Sequence, residues 1–180
     1  MHAPLWVFGY GSLIWDPGFS VAERHIARLD GFHRSFCMWS IHHRGTEAEP
    51  GLVLALDAAP GASCQGLAFR AEPGSETETI ARLRERELVS AAYLETEQQV
   101  TLCPGVTVRA VTYVIDPHHR QYTGGLDLEQ QARIIARAAG GRGPNRDYLF
   151  NTAAHLDELG LQDPDLAWLC ARVRSLCAHG

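Results

Sequence analysis

A carboxylate on the apolar side of a helix is the first sign of chemistry in this chain. Residues 80–92 can be set on a wheel turning roughly 100° per residue. Ile80, Leu83, Leu88 and Ala91 then share one broad face, Glu87 falls in the middle of it, and Arg82, Glu85 and Arg86 point elsewhere. Two readings are open. In one, Glu87 is a structural acid paired with Arg84, three residues back. In the other it lines a cleft, where loss of water raises its pKa toward neutrality and suits it to proton transfer. A buried charge needs compensation, and in the second reading a cationic substrate group supplies it.

The stretch Val7–Trp15, VFGYGSLIW, interrupts an apolar run with two glycines, a tyrosine and a serine. Ser12 is a candidate nucleophile, but the surrounding residues lack the Gly-x-Ser-x-Gly elbow. They also lack the Gly-Lys-Ser/Thr ending of a phosphate loop. A short glycine-rich turn can instead aim backbone N–H groups at a carboxylate or carbonyl, so Tyr10, Gly11, Ser12 and Leu13 are candidate binding residues. Arg44, in the loop-like HHRGTEAEPG, can clamp a carboxylate or sit solvated. Tyr148 can bury its ring and present its hydroxyl to a site. His42-His43 and His118-His119 are poor chelators, because neighbours on a strand point to opposite sides and no carboxylate stands at a zincin spacing. No metal is expected.

These residues need elements to hold them. Leu5–Phe8, Gly51–Leu56, Gln65–Phe69 and Thr107–Ile115 read as strands, with Ala59-Pro60-Gly61-Ala62 as a turn between the second and third. Ser75-Glu76-Thr77-Glu78 is a capping-box pattern leading into about four helical turns up to Ala92. Leu126–Ala139 carries helical periodicity and ends in Gly140-Gly141. Asn145 is expected to cap a helix running to Leu159, and Asp163-Pro164 to start a last one reaching about Cys177. Strands first, one embedded helix, then helices: the pattern is α+β in a single domain spanning 1–180.

Composition excludes several classes. The 180 residues carry a net charge of −5, with 46% apolar and 21% charged residues, so a core can form. No basic block interleaves with aromatics, which argues against nucleic acid. No apolar run approaches the roughly 18 residues of a membrane span, and no basic segment precedes the first apolar run as in a signal peptide. Five widely spaced cysteines without a Cys-x-x-Cys pattern suit free thiols in a reducing cytoplasm. No obligate protein partner is evident.

Taken in order along the chain, five segments resemble the ChaC-type γ-glutamylcyclotransferases, the glutathione-specific branch. They are FGYGSLIW (Phe8–Trp15), HHRGTEAEPG (His42–Gly51), CQGLAFR (Cys64–Arg70), RELVSAAY (Arg86–Tyr93) and YTGGLDLEQQARIIARAAGGRGPNRDYLFN (Tyr122–Asn151). Two departures stand out: Ala91-Ala92 replace the usual Gly-Gly before Tyr93, and Arg142 stands where the family commonly has serine. The resemblance implies a small mixed β-barrel-like sheet flanked by helices, with C-terminal helices. It implies conversion of glutathione to 5-oxoproline and Cys-Gly without a cofactor, with Glu87 as general acid/base. The Tyr10–Leu13 turn would then bind substrate, joined by Tyr93, Tyr148 and Arg44. The alternatives are a cyclotransferase for other γ-glutamyl amines or peptides, and a γ-glutamyl-binding protein without turnover.

Overall fold

The computed structural model describes residues 3–103 and 105–180, which gather into two compact units. The first runs to Arg34 and resumes over Leu56–His119; the second comprises Ser35–Ala55 and Arg120–Gly180.

The first unit is built on a closed barrel with strand order β1-β3-β2-β4-β5. Strand β1 is Trp6–Gly9, β2 Val21–Ser40, β3 Gly51–Ala71, β4 Tyr93–Leu102 and β5 Val106–Ile115. β1 lies antiparallel to β3, with Phe8 opposite Ala68, and parallel to β5, with Val7 opposite Val111. β4 pairs antiparallel with both β2 and β5. The sheet is therefore mixed. Inward side chains make the core, where Phe8, Leu29, Leu56, Ala68, Val100 and Ala110 pack together almost free of solvent.

Two features of these strands were not apparent in the sequence. β3 is continuous where a turn at Ala59–Ala62 was expected. Gly61, at φ +85°, supplies the local kink in an exposed stretch, so the strand bends without ending. β4 hides behind its acids and amides. Its polar side chains have partners across the ladder: Glu97 accepts from Arg109 at 2.8 Å, and the Thr96 hydroxyl donates to the Thr112 carbonyl at 3.1 Å. Such pairs stabilise a solvated sheet face as apolar contacts stabilise a buried one.

Helix α1, Glu76–Glu87, is shorter than expected and ends at the carboxylate of interest, with Leu88 as its C-cap. The capping box does not form. The Ser75 hydroxyl donates to the Glu72 carbonyl at 2.7 Å, and no side chain caps the helix. Packing holds α1 instead: Leu83, 1% exposed, docks with Val7, Leu13, Val111 and Tyr113.

The second unit carries α2 (Leu128–Arg137), a two-residue ribbon of β6 (Ala139–Gly140) and β7 (Gly143–Pro144), α3 (Asn145–Glu158) and α4 (Pro164–Ala178). Asp127 and Gln130 form a reciprocal capping box on α2. Asp163 caps α4 by accepting from the Leu166 N–H at 3.0 Å. Asn145 behaves differently from expectation. It is the first residue of α3, Pro144 takes the N-cap position, and the buried Asn145 amide is spent elsewhere. Its Oδ1 accepts from the Leu52 N–H and its Nδ2 donates to the Leu52 carbonyl, each at 2.8 Å. Replacing Asn145 by alanine leaves two buried backbone groups unpaired, at about 1–3 kcal/mol each. Asn145→Ala should therefore lower the unfolding free energy by several kcal/mol, and Asn145→Asp, which keeps the acceptor but sets a buried carboxylate oxygen against the Leu52 carbonyl, should not recover it. Equal stability of both variants with the wild type would contradict this role.

Candidate active site

Gly9 closes β1 at a point where a side chain finds little room. A side chain on Gly9 would put its Cβ 3.1 Å from the Leu13 Cβ and 3.3 Å from the Phe69 ring. The backbone turns over Tyr10 and Gly11 into a single 3-10 turn, Ser12–Ile14, in which the Ile14 N–H donates to the Gly11 carbonyl at 2.9 Å. Ile14 is the first N–H used by that turn, so the Ser12 and Leu13 N–H groups lie ahead of its hydrogen bonding. Leu13 and Ile14 are buried and anchor the turn from below. Gly11 is buried as well, yet a Cβ built on it would meet no heavy atom within 4 Å, so here the backbone faces unfilled space.

Two arginines fix this turn. Arg34, 4% exposed, donates from Nε to the Tyr10 carbonyl and from Nη2 to the Gln65 carbonyl, both at 2.6 Å. Arg86 donates from Nη2 to the Ser12 Oγ at 3.0 Å and from Nη1 to the Asp16 carbonyl. Ser12 thus accepts from a cation. A serine nucleophile wants a base at its hydroxyl.

Glu87 is the last residue of α1, and its side chain keeps only 15% of its exposure. Burial pushes its pKa up, and the Arg86 guanidinium, with Nε 3.5 Å from Oε1, pulls against that rise. The negative end of the helix dipole works in the same direction as burial. The expected pair with Arg84 does not form. Arg84 donates from Nε and Nη2 to the two Glu95 oxygens at 3.0 and 2.9 Å, and the Tyr113 hydroxyl donates to Glu95 at 3.0 Å. Arg84 and Tyr113 together hold the Glu95 carboxyl below its usual range. Burial and then Glu95 push the Tyr113 phenol well above its own. Arg86, which the helical wheel points away from Glu87, still reaches the carboxylate with its long side chain.

Past Leu88 the chain turns sharply before β4. Ala91 takes φ +56°, in the left-handed region, so it is not on the helix face assigned to it. Tyr93 then opens β4 and packs in the same apolar cluster as Leu13. The first unit thus brings together Tyr10, Gly11, Ser12, Leu13, Glu87 and Tyr93, with Arg34 and Arg86 added. Nothing in the spacing marked either arginine: Arg34 stands among the many polar residues of β2, between His33 and Ser35.

Arg44 and Tyr148 belong to the second unit and touch each other, with the guanidinium 5.7 Å from the ring centroid. Arg44 Nη1 donates to the Arg142 and Pro144 carbonyls at 2.9 and 3.2 Å. The Tyr148 hydroxyl accepts from the Leu54 N–H at 3.2 Å, and its ring meets Phe36 edge-on. Among the described residues no group of three or more His, Cys, Asp or Glu side chains is gathered as a metal would need. No disulfide joins the five cysteines, and no described helix is long and apolar enough to cross a membrane.

The barrel with its flanking helices is the fold of the γ-glutamylcyclotransferases. A structure of the enzyme specific to glutathione from yeast superposes with a TM-score of 0.84 at 23% identity, covering 99% of both chains. A second γ-glutamyl cyclotransferase structure covers 99% of this chain and 100% of its own at a TM-score of 0.58 and 16% identity. The family model for ChaC-like proteins matches residues 5–176, and the chain belongs to that family. The glutathione-specific γ-glutamylcyclotransferase of Escherichia coli K12 is 37% identical over 178 residues, 99% of this chain and 76% of that protein. γ-Glutamylcyclotransferase 2-3 of Arabidopsis thaliana is 34% identical, over 97% of this chain and 91% of that one. The human glutathione-specific γ-glutamylcyclotransferase 1 is 30% identical over 89% and 73%.

The left-handed Ala91 has a measurable consequence. A residue with a Cβ in that region costs about 1–2 kcal/mol more than glycine. Ala91→Gly should raise the denaturant midpoint by an amount approaching this, less the extra freedom it gives the unfolded chain. A lower midpoint would contradict the left-handed geometry.

Proposed function

We propose that this chain is a glutathione-specific γ-glutamylcyclotransferase with Glu87 as its general acid/base. The observation that carries this reading is a desolvated carboxylate, diverted from its helical neighbour Arg84, on the same unit as a backbone turn that faces unfilled space. The names of the relatives support the choice of substrate.

The reaction suits such a site. The glutamyl ammonium of glutathione completes the charge compensation that Arg86 gives the desolvated Glu87 only in part. Glu87 takes a proton from it, and the freed amine attacks the γ-carbonyl of the same molecule. The new C–N bond closes a five-membered ring. The oxyanion that develops is held by backbone N–H groups of the Tyr10–Leu13 turn. Glu87 then gives this proton to the departing amide nitrogen and takes up the second proton that the ring nitrogen sheds; the C–N bond to cysteine breaks, and 5-oxoproline and Cys-Gly leave, the Cys-Gly amine carrying off that second proton. Nucleophile and electrophile are already joined, so positioning can supply up to about 7–11 kcal/mol of the barrier reduction. The Ser12 hydroxyl and the turn hold the substrate's α-carboxylate, and Tyr93 walls the pocket. A reducing cytoplasm, where glutathione is abundant and thiols stay free, is the compartment we assign.

Glutathione, γ-glutamyl-alanine and a γ-glutamyl amine, each incubated with the protein and assayed for 5-oxoproline, test the reading. Release from glutathione should dominate and fall by about 100-fold or more in Glu87→Gln. Full activity in that variant would sink the mechanism, and release only from another γ-glutamyl compound would promote the broader cyclotransferase reading.

The pH dependence has a defined sign. Glu87 acts as base when ionised and its pKa is raised by burial. The acid limb of kcat/KM should therefore be half-complete above the ordinary glutamate value of about 4.3. Stability runs the other way. The native state keeps the Glu87 proton to higher pH than the unfolded chain does, so ionisation above that window weakens folding. Glu87→Gln should unfold at higher temperature than the wild type at neutral pH, an advantage that vanishes at low pH, where Glu87 is protonated in both the native and the unfolded wild type. A less stable variant at neutral pH would contradict the assigned desolvation.

A further inference from the structure

We propose that Arg86 is a positioning residue for this reaction: its guanidinium joins the Ser12 hydroxyl to the Glu87 carboxylate, aims the serine proton at the substrate and sets the spacing between binding turn and base. The proposal rests on reading Glu87 as the base.

Geometry carries it. Three edges of one planar, rigid group meet three partners: Nη2 the Ser12 Oγ at 3.0 Å, Nη1 the Asp16 carbonyl, and Nε the Glu87 Oε1 at 3.5 Å. The flexible ammonium of lysine is a point charge and cannot hold two partners at a fixed separation in this way. A serine hydroxyl has one proton and two lone pairs. With a lone pair taken by a cation, its proton turns away from Arg86 and toward an incoming anion, and the bond it then donates is strengthened by the one it accepts. The α-carboxylate of a γ-glutamyl group is such an anion. Arg86 acts in both cases through another side chain.

The other charged groups around Glu87 leave this role to Arg86. From β4, Glu95 is neutralised by Arg84 of α1 in a two-pronged pair. From β5, Tyr113 faces the same region with its hydroxyl bound to Glu95. Asp16, after the turn, has its exposed carboxylate 3.9 Å from Arg86.

Steady-state turnover of glutathione by the full chain is measured across pH for the wild type, R86Q, R86K, S12A and the double variant R86Q/S12A. R86Q should lose about 10- to 100-fold in kcat/KM, the scale of a hydrogen bond to a charged group, and its acid limb should move to higher pH. R86K should keep the limb near its wild-type position while losing about tenfold in rate. The loss in the double variant should be smaller than the product of the single losses, because Ser12 without Arg86 is no longer aimed. Wild-type kcat/KM in R86Q or R86K, an unmoved acid limb in R86Q, or losses that simply multiply would each overturn the proposal. Should the wild type release no 5-oxoproline, the functional reading fails and Arg86 is decided separately. NMR titration of the Glu87 carboxyl carbon then shows either a higher midpoint in R86Q than in wild type, as expected, or an unchanged one, which overturns the link to Glu87.

Discussion

The desolvation of Glu87 is the constraint around which the first unit is arranged. A carboxylate at the negative end of a helix, with most of its surface out of water, is expensive to keep ionised. The simplest remedy, an ion pair one turn back, is withheld: Arg84 is drawn away by Glu95, which the Tyr113 hydroxyl also holds. Among the described residues Arg86 is the cation left beside it, 3.5 Å away. The compensation is therefore partial, and a partly compensated anion discriminates in favour of a ligand that brings its own positive charge.

The binding turn shows the complementary design. A glycine-containing loop offering N–H groups is useful only if it does not collapse onto its own acceptors. Here the Gly11 and Ser12 carbonyls close the turn on the Ile14 and Asp16 N–H groups, while guanidinium groups claim the flanking acceptors, Arg34 the Tyr10 carbonyl and Arg86 the Ser12 hydroxyl and the Asp16 carbonyl. The cations fix the backbone from the acceptor side, and the buried Leu13 and Ile14 fix it from the core. A turn so held is preorganised, the condition under which hydrogen-bond donors stabilise developing charge at no cost of reorientation.

Much of this was legible from residue types. Glu87 stood out because a charge occupied a core position, and burial of that side chain follows the same logic. Two C-terminal helices were marked, one by the periodicity of Leu126–Ala139 and one by Asp163-Pro164, whose aspartate caps as that residue does in general. What escaped was set by distant contacts. The Ser75 pattern predicts a box, but its hydroxyl finds the Glu72 carbonyl. Asn145 predicts a cap, but Leu52 takes its amide. β2 and β4 lack a clean alternation because their polar residues have cross-strand partners that no local window contains. Arg86 escaped because a wheel places only the start of each side chain, and this long one reaches from a neighbouring face to the Glu87 carboxylate and the Ser12 hydroxyl.

The start of α3 does something a helix seldom does. Asn145 and Tyr148, three residues apart on one face, meet the N–H groups of Leu52 and Leu54, two residues apart along β3. The Asn145 amide satisfies the Leu52 carbonyl as well. Helix side chains thereby stand in for the backbone of a neighbouring strand. A bare strand edge is a template on which another polypeptide can add itself. Sealed by an amide and a phenol, this stretch of β3 offers no such template, and the protection against edge-to-edge aggregation comes from residues that the sequence alone would file under helix capping.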